Sequence, residues 1–202
     1  MGKATRTIIF DFDGTIVDSF NYVLDFLCRE AGRQKPLAPK QTEQYRGMSM
    51  KDMALKVGIP AWRLPLVYFR GRRLMRGYMP QLPAFAGMLE LIRQLHSDGY
   101  RLYIVSSNSN RNVKIFLRQH NLTQCFTGVR GGAGFLGKAS IVSRLLIRSK
   151  VKLEDAWYVG DEVTDIASAK AAGTKVVAVT WGFAEPGSLE RLCYDAGILP
   201  IM

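Results

Sequence analysis

A short apolar run that ends abruptly in acidic residues places the strongest constraint on how this chain can fold. Residues 7–10 (TIIF) are β-branched or aromatic, and the sequence DFDGT follows at once in residues 11–15. This pattern predicts a buried parallel strand with polar groups at its carboxyl end. Similar apolar runs alternate with helical patterns further along the chain, at residues 100–105, 156–159 and 175–179. We therefore predict an α/β fold, in which a doubly wound, Rossmann-like parallel sheet is covered by helices on both faces.

The alternation of strands and helices is interrupted between residues 16 and 82. This stretch contains helical patterns at residues 17–32, 50–57 and 62–77 and no convincing strand. Six of the chain's eight prolines lie between residues 36 and 83, which marks a shift in composition. We predict that residues 16–82, called the insert below, form a small α-helical domain within a core made of residues 1–15 and 83–202.

Composition excludes several classes of protein. Of the 202 residues, 48% are hydrophobic, and no tract is of low complexity, so disordered and fibrous chains are excluded. No run approaches the roughly 18 apolar residues of a membrane span. The first strand begins too early in the sequence to leave room for a signal peptide. The number of cysteines is odd, and Cys28, Cys125 and Cys193 form no CxxC pair, so we expect a protein of the reducing cytoplasm. The formal net charge of +11 favours anionic ligands of some kind.

Polar side chains follow the predicted strands at the points where the strands end. They are Asp11 and Asp13 after the first strand, Ser106, Ser107 and Asn108 after the second, and Asp161, Glu162 and Asp165 after the strand near residue 159. Lys138 opens a helix between the last two groups. Because ligands bind outside the carboxyl ends of strands in an open parallel sheet, we expect these side chains to meet at one edge.

The chemistry of this set points to phosphoryl groups. Neighbouring carboxylates repel one another unless a cation joins them, and their hard oxygen atoms suit Mg²⁺. An aspartate can attack phosphorus to give an aspartyl phosphate that water then cleaves, and a second aspartate can protonate the leaving group. Gly14 lets the backbone turn out of the strand, and the Thr15 hydroxyl can fix that turn.

These residues resemble the four motifs of the haloacid dehalogenase superfamily, and in particular its phosphoglycolate phosphatase-like group. The motifs are DFDGT at residues 11–15, the Ser/Asn stretch at 106–108, Lys138 and GDExxD at 160–165. The resemblance implies that Asp11 is the nucleophile and that Asp13 is the acid and base. It also implies that Mg²⁺ is held by Asp11, by Asp161 and by the backbone carbonyl of Asp13.

The remaining roles also follow from the resemblance. Lys138 would hold the nucleophile and the phosphoryl oxygens, and Asp165 and Glu162 would support the metal ligand. Gly14, Thr15 and Asn108 would help to bind phosphate, together with either Ser106 or Ser107. The insert would be a cap that sets specificity, and its candidate cations are Arg46, Lys51, Arg63, Arg70, Arg72 and Arg73.

The function implied is a Mg²⁺-dependent phosphatase that hydrolyses a small phosphate monoester such as phosphoglycolate or a sugar phosphate. Its partner would be a small phosphorylated metabolite, without nucleic acid or membrane, and the protein would be a monomer or homodimer. The alternatives are a phosphomutase, a phosphonatase with Lys51 as its lysine, or a non-catalytic protein of the same fold that binds anions or nucleic acid. The glycine-rich residues 131–138 formally match GxGxxG, but we predict that they form a loop that delivers Lys138.

Overall fold

The computed structural model describes residues 6–133 and 137–185, and within them five parallel strands form one sheet. The strands are β1 (Thr7–Phe10), β2 (Arg101–Val105), β3 (Phe126–Arg130), β4 (Ala156–Gly160) and β5 (Lys175–Ala178). Their spatial order is β3-β2-β1-β4-β5. The chain thus runs from β1 to β3 on one side and returns to β4 and β5 on the other. This order confirms the predicted doubly wound α/β fold.

Helices cover both faces of the sheet. The described residues contain eight α-helices, of which α5 to α8 pack against the sheet: α1 (Phe20–Glu30), α2 (Pro39–Glu43), α3 (Met50–Lys56), α4 (Leu64–Tyr78), α5 (Met88–Ser97), α6 (Asn110–Gln119), α7 (Lys138–Arg148) and α8 (Val163–Ala172). Successive residues of β1 point to opposite layers: Ile8 and Phe10 join the cluster that contains α5 and α6, whereas Ile9 joins that of α7 and α8. A parallel strand buried on both faces requires this alternation.

The insert contains the four helices α1 to α4, between β1 and α5. Its buried side chains, including Phe20, Leu27 and Met53, belong to the same hydrophobic cluster as Ile8 and Phe10. Two backbone hydrogen bonds tie the entrance of the insert to its exit, from the amide of residue 18 to the carbonyl of residue 83 at 3.0 Å and from residue 85 to residue 16 at 3.1 Å. The helical character of the insert is as predicted, and its status as a separate domain stays a prediction.

The structure corrects the start of the first insert helix. The sequence pattern predicted a helix from Val17, but α1 begins at Phe20. The reason is a tight turn after β1, in which the amides of Ile16 and Val17 both donate to the carbonyl of Phe12. Val17 then forms isolated bridges with Asp13 and Ala84. These pairings fix the direction in which the chain leaves the sheet.

Three further observations bear on the sequence analysis. The edge strand β3 was not predicted, because its sequence FTGVR is short, contains a glycine and is only partly buried.

Cys28 and Cys125 are buried free thiols, and Cys193 lies outside the described residues, as does Gly134 of the GxGxxG match. Among the described helices, none combines the length and the apolar character that crossing a bilayer requires.

Phe12 anchors the turn that carries the acidic residues, and its replacement should be costly. Its ring is fully buried and packs edge-on against Phe116, with 5.3 Å between ring centroids. We expect Phe12→Ala to lower the free energy of unfolding by about 3–5 kcal/mol, because a large cavity remains. Denaturant unfolding measures this change. The control Ile147→Ala removes a side chain that is 76% exposed, and it should cost less than about 1 kcal/mol. Equal losses in the two variants would contradict this account.

Candidate active site

The predicted polar residues meet at the carboxyl ends of β1, β2 and β4. Because β1 lies between β2 and β4, the residues that follow these strands are brought to one edge, where the chain's course through the sheet reverses. A cavity of about 490 Å³ opens there. The core lines it with Asp11, Asp13, Ser106, Ser107, Asn108, Lys138, Glu162 and Phe183, and the insert supplies the other wall.

A buried lysine links two of the carboxylates. Lys138 Nζ lies 2.9 Å from Asp11 Oδ2 and 2.7 Å from Asp165 Oδ1, and all three side chains are at least nine-tenths buried. Burial lowers the pKa of Lys138, but the charges of Asp11 and Asp165 raise it, and the result is a pKa well above the ordinary value. Lys138 is therefore a permanent cation that fixes one oxygen of Asp11.

The Asp165 carboxylate binds Lys138 and is held in place by two further donors. Its Oδ1 also accepts a hydrogen bond from the Tyr158 hydroxyl at 3.0 Å, and its Oδ2 accepts one from the backbone amide of Glu162 at 3.1 Å. The Glu162 side chain borders the cavity and accepts from Thr164. The sequence analysis missed Tyr158, since an aromatic residue within a buried strand normally signals packing alone.

Asp161 is completely buried and held by two donors. The Thr15 hydroxyl donates to its Oδ1 at 2.8 Å, and the backbone amide of Phe183 donates to its Oδ2 at 2.7 Å. A Cβ atom at Gly14 or at Gly182 would collide with this carboxylate, so both glycines allow the backbone to pack directly against it. Thr15 and Gly14 thus contact Asp161, and neither is among the residues that line the cavity.

Asp13 is held from two sides. The Ser19 hydroxyl donates to its Oδ1 at 2.8 Å, and the Asn108 side-chain amide donates to its Oδ2 at 3.0 Å. Burial raises the pKa of Asp13, and the two hydrogen bonds offset part of that rise. Ser19 stands at the N-cap position of α1, but its hydroxyl makes no capping bond and binds Asp13 instead.

The two candidate phosphate-binding serines both border the cavity. The Ser106 hydroxyl accepts a hydrogen bond from the backbone amide of Asn108 at 2.9 Å. The backbone carbonyl of Ser107 accepts from the Tyr68 hydroxyl of α4 at 3.0 Å. This second bond connects the strand-end loop to the insert, and the choice between the two serines stays open.

The donor set fits a hard divalent cation. Asp11, Asp161 and Asp165 each offer an oxygen atom, and these atoms lie within 4.8 Å of one another. Burial, followed by the charges of Asp165 and Asp161, raises the pKa of Asp11 well above its usual range, although Lys138 opposes the rise. Asp11 Oδ1 is buried and has no hydrogen-bond partner among the residues that the structure describes. Three carboxylates facing one ammonium need further positive charge, and oxygen ligands suit Mg²⁺.

Comparison with known proteins agrees with this geometry. A family model described as haloacid dehalogenase-like hydrolase matches residues 8–179. The chain belongs to the haloacid dehalogenase-like hydrolase family. It is 34% identical over 192 residues to a phosphoglycolate phosphatase of Synechococcus elongatus, covering 94% of this chain and 91% of that relative. It is 26% identical over 189 residues to a phosphoglycolate phosphatase of Aquifex aeolicus, covering 91% and 88%.

A solved structure extends the match to the fold. A haloacid dehalogenase-like family hydrolase from Streptococcus pneumoniae superposes with a TM-score of 0.76 at 22% identity, covering 93% of this chain and 90% of that one. At this level of identity the comparison concerns the fold alone. It places the sheet and the helices of this hydrolase in the arrangement common to its family.

In the absence of divalent cations, the stability of the hydrolase should fall as pH rises from 6 to 8.5. Burial, with the charges of Asp165 and Glu162, raises the pKa of Asp161 from 3.8 to about 8. Between these two pKa values the folded state binds more protons than the unfolded state. The free energy of unfolding therefore falls by up to about 1.4 kcal/mol for each pH unit, for this one group. Melting temperatures in chelator across this pH range measure the effect.

Mg²⁺ should counter this loss, because a metal replaces the proton on its ligands. We expect Mg²⁺ to raise the melting temperature more at pH 8 than at pH 6. The control Asp161→Asn removes this titrating group and should weaken both dependences, to which Asp11, whose pKa is also raised, still contributes. A melting temperature in chelator that is constant or rises between pH 6 and 8.5 would contradict this prediction.

Proposed function

We propose that this hydrolase is a Mg²⁺-dependent phosphatase that cleaves small phosphate monoesters through an aspartyl phosphate on Asp11. The observation that carries the proposal is the asymmetry of the Asp11 carboxylate. Lys138 fixes Oδ2, whereas Oδ1 has no hydrogen-bond partner among the described residues, and Asp11 borders the cavity. A carboxylate oriented in this way can attack phosphorus.

The reaction divides into two displacements at phosphorus. Asp11 Oδ1 forms a bond to phosphorus while the bond to the leaving oxygen breaks, and Asp13 donates its proton to that oxygen. A water molecule then gives a proton to Asp13 and attacks phosphorus, which releases phosphate and restores Asp11. A bound Mg²⁺, held by Asp11, Asp161 and the backbone carbonyl of Asp13, would offset the negative charge of the phosphoryl oxygens.

Several features of the site support these roles. The raised pKa of Asp13 suits a group that must hold a proton for the leaving alcohol. Lys138 and the polar residues 106–108 surround the space in front of Asp11 and can bind phosphoryl oxygens. The insert forms the opposite wall of the same cavity, so as a cap it would exclude water from the reaction. The two relatives described above are named phosphoglycolate phosphatases.

The phosphonatase alternative is less well supported. Lys51 does border the cavity, as a Schiff-base lysine would have to. It is exposed, however, and such lysines are usually activated by desolvation in an apolar pocket or by a neighbouring cation. The buried residues around Asp11 suit phosphate esters without requiring this lysine.

Asp11→Asn should abolish turnover. The variant keeps the size of the side chain but removes the attacking charge, so phosphate release from an aryl phosphate in Mg²⁺ should fall by more than about a thousandfold. Chelator should abolish the wild-type rate as well. Circular dichroism serves as the control for folding. A rate that survives in the folded variant would exclude Asp11 as the nucleophile.

Asp13→Asn should separate the two displacements. Nitrophenolate leaves without a proton, so the first step should proceed with p-nitrophenyl phosphate, whereas the second step lacks its base. We expect a burst of one nitrophenolate per enzyme, followed by a steady rate at least about a hundredfold below wild type. Rapid mixing with absorbance detection measures this burst. Asp11→Asn is the matched control and should show none, and a wild-type steady rate in Asp13→Asn would contradict the assignment.

A further inference from the structure

The insert side of the cavity is built mainly from apolar side chains. Val23 and Phe26 lie one turn apart on α1, and Leu64, Gly71 and Met75 share one face of α4. Val23, Phe26 and Met75 are each less than a tenth exposed. These five residues are called the apolar wall. They face the charged groups of the core across a cavity of about 490 Å³.

Gly71 keeps this wall continuous. A Cβ atom at this position would lie 2.8 Å from Cε1 of Phe26, which is closer than such atoms can approach. Glycine therefore allows α4 to pack against the ring of Phe26 without a gap. Tyr68 and Arg72 of α4 line the same cavity, so these two polar side chains border the apolar surface that the two helices form.

The shape of the cavity bears on the alcohol that leaves in the reaction. The groups proposed to act on the phosphoryl group, Asp11, Asp13 and Lys138, all come from the core. A two-carbon acid such as glycolate would fill little of the cavity and would leave the apolar wall in contact with water. Covering apolar surface with an apolar group is favourable in proportion to the area removed from water. Cavities of this size commonly bury ligands much larger than glycolate.

We infer that the preferred substrate is a phosphate monoester whose leaving alcohol carries an apolar body of several carbons, an alkyl chain or an aryl ring, that covers the apolar wall. The inference rests on the proposed phosphatase function and goes beyond the substrate named for the relatives. The competing class is a leaving group that bears a carboxylate. Two cations of the insert, Lys51 and Arg72, also border the cavity and would serve that class.

The position of Arg72 favours the apolar class. Its guanidinium lies over the ring of Tyr68, 5.4 Å from the ring centroid, and the Tyr68 hydroxyl is bound to the carbonyl of Ser107. Arg72 is thus held against an aromatic face next to the apolar wall, and Lys51 is exposed. A carboxylate in this cavity would therefore either compete with the contact between Arg72 and Tyr68 or bind Lys51, which is exposed to water.

Binding of phosphonates tests the inference without requiring turnover. The probes are ethyl-, propyl-, butyl- and hexylphosphonate, together with 3-phosphonopropionate, which has the length of phosphoglycolate and carries its carboxylate. Titration calorimetry in Mg²⁺ gives each Kd. We expect Kd to fall about three- to fourfold for each added methylene that the wall covers. We also expect 3-phosphonopropionate to bind no more tightly than propylphosphonate.

Substitutions in the apolar wall test whether it causes the dependence of Kd on chain length. Met75→Gln should reduce the advantage of hexyl- over ethylphosphonate at least about threefold. Val23→Thr, which replaces a methyl by a hydroxyl at nearly constant shape, should act in the same direction if Met75→Gln does not fold. The matched control is Leu66→Gln on α4, whose side chain is 54% exposed and absent from the cavity lining. It should change neither Kd.

Two results would overturn the inference. One is a Kd that does not depend on chain length. The other is tighter binding of 3-phosphonopropionate than of propylphosphonate, lost in Arg72→Gln, which would establish the carboxylate class. The same n-alkyl series as phosphates, whose leaving alcohols differ little in acidity, should show the same order in kcat/KM. If no alkyl phosphate is cleaved but Kd still falls with chain length, the proposed phosphatase function is wrong and the preference for an apolar group stands. If alkyl phosphates are cleaved at rates that do not depend on chain length, the phosphatase function stands and the proposed substrate class is wrong.

Discussion

The burial of like charges at one edge of the sheet is the constraint on which the rest of this structure depends. Asp11, Asp161 and Asp165 lie within 4.8 Å of one another and are almost completely buried, with one ammonium, Lys138, among them. Such a group is stable only if hydrogen bonds and cations offset the repulsion and the lost hydration. The hydrogen bonds that Thr15, Tyr158 and the backbone donate are therefore needed to stabilise the carboxylates in this buried position. Burial raises the pKa of Asp11 and of Asp161, so both carboxylates are costly to hold in the charged form, and a bound cation would reduce that cost.

Much of the fold and of the site could be predicted because both depend on strand ends. A buried parallel strand that stops at polar residues is visible in the sequence, and topology then brings such ends together. Asp11 thus lies within 4.8 Å of Asp161 and lines one cavity with Ser106. What could not be predicted depends on side-chain direction. In the sequence Tyr158 is typical of a packing residue, but its hydroxyl donates a hydrogen bond to Asp165. Ser19 is likewise typical of a helix cap, but its hydroxyl donates to Asp13. The edge strand β3 has too little apolar periodicity to stand out, because one of its faces is partly solvated.

The insert and the core are connected through the polar groups of the site as well as through apolar packing. Tyr68 of α4 donates to the carbonyl of Ser107, and Asn112 at the start of α6 donates to the carbonyl of Arg72. Asn112 also donates to the side chain of Asn108, whose amide in turn holds Asp13. A chain of hydrogen bonds thus runs from the insert helix α4 to the group that would protonate the leaving alcohol.

Asp13 receives its two hydrogen bonds from the two parts of the molecule. Asn108 belongs to the core, whereas Ser19 stands directly before the first helix of the insert. Asn108 and Asp13 both belong to the core, so the Ser19 bond is the one of the two that links Asp13 to the insert, whose entrance and exit are paired in the backbone. The Ser19 bond therefore couples the orientation of the Asp13 carboxyl to the position of the start of the insert. A substrate that favours this position of the insert, by covering the apolar wall, would at the same time hold Asp13 in the orientation that proton transfer needs.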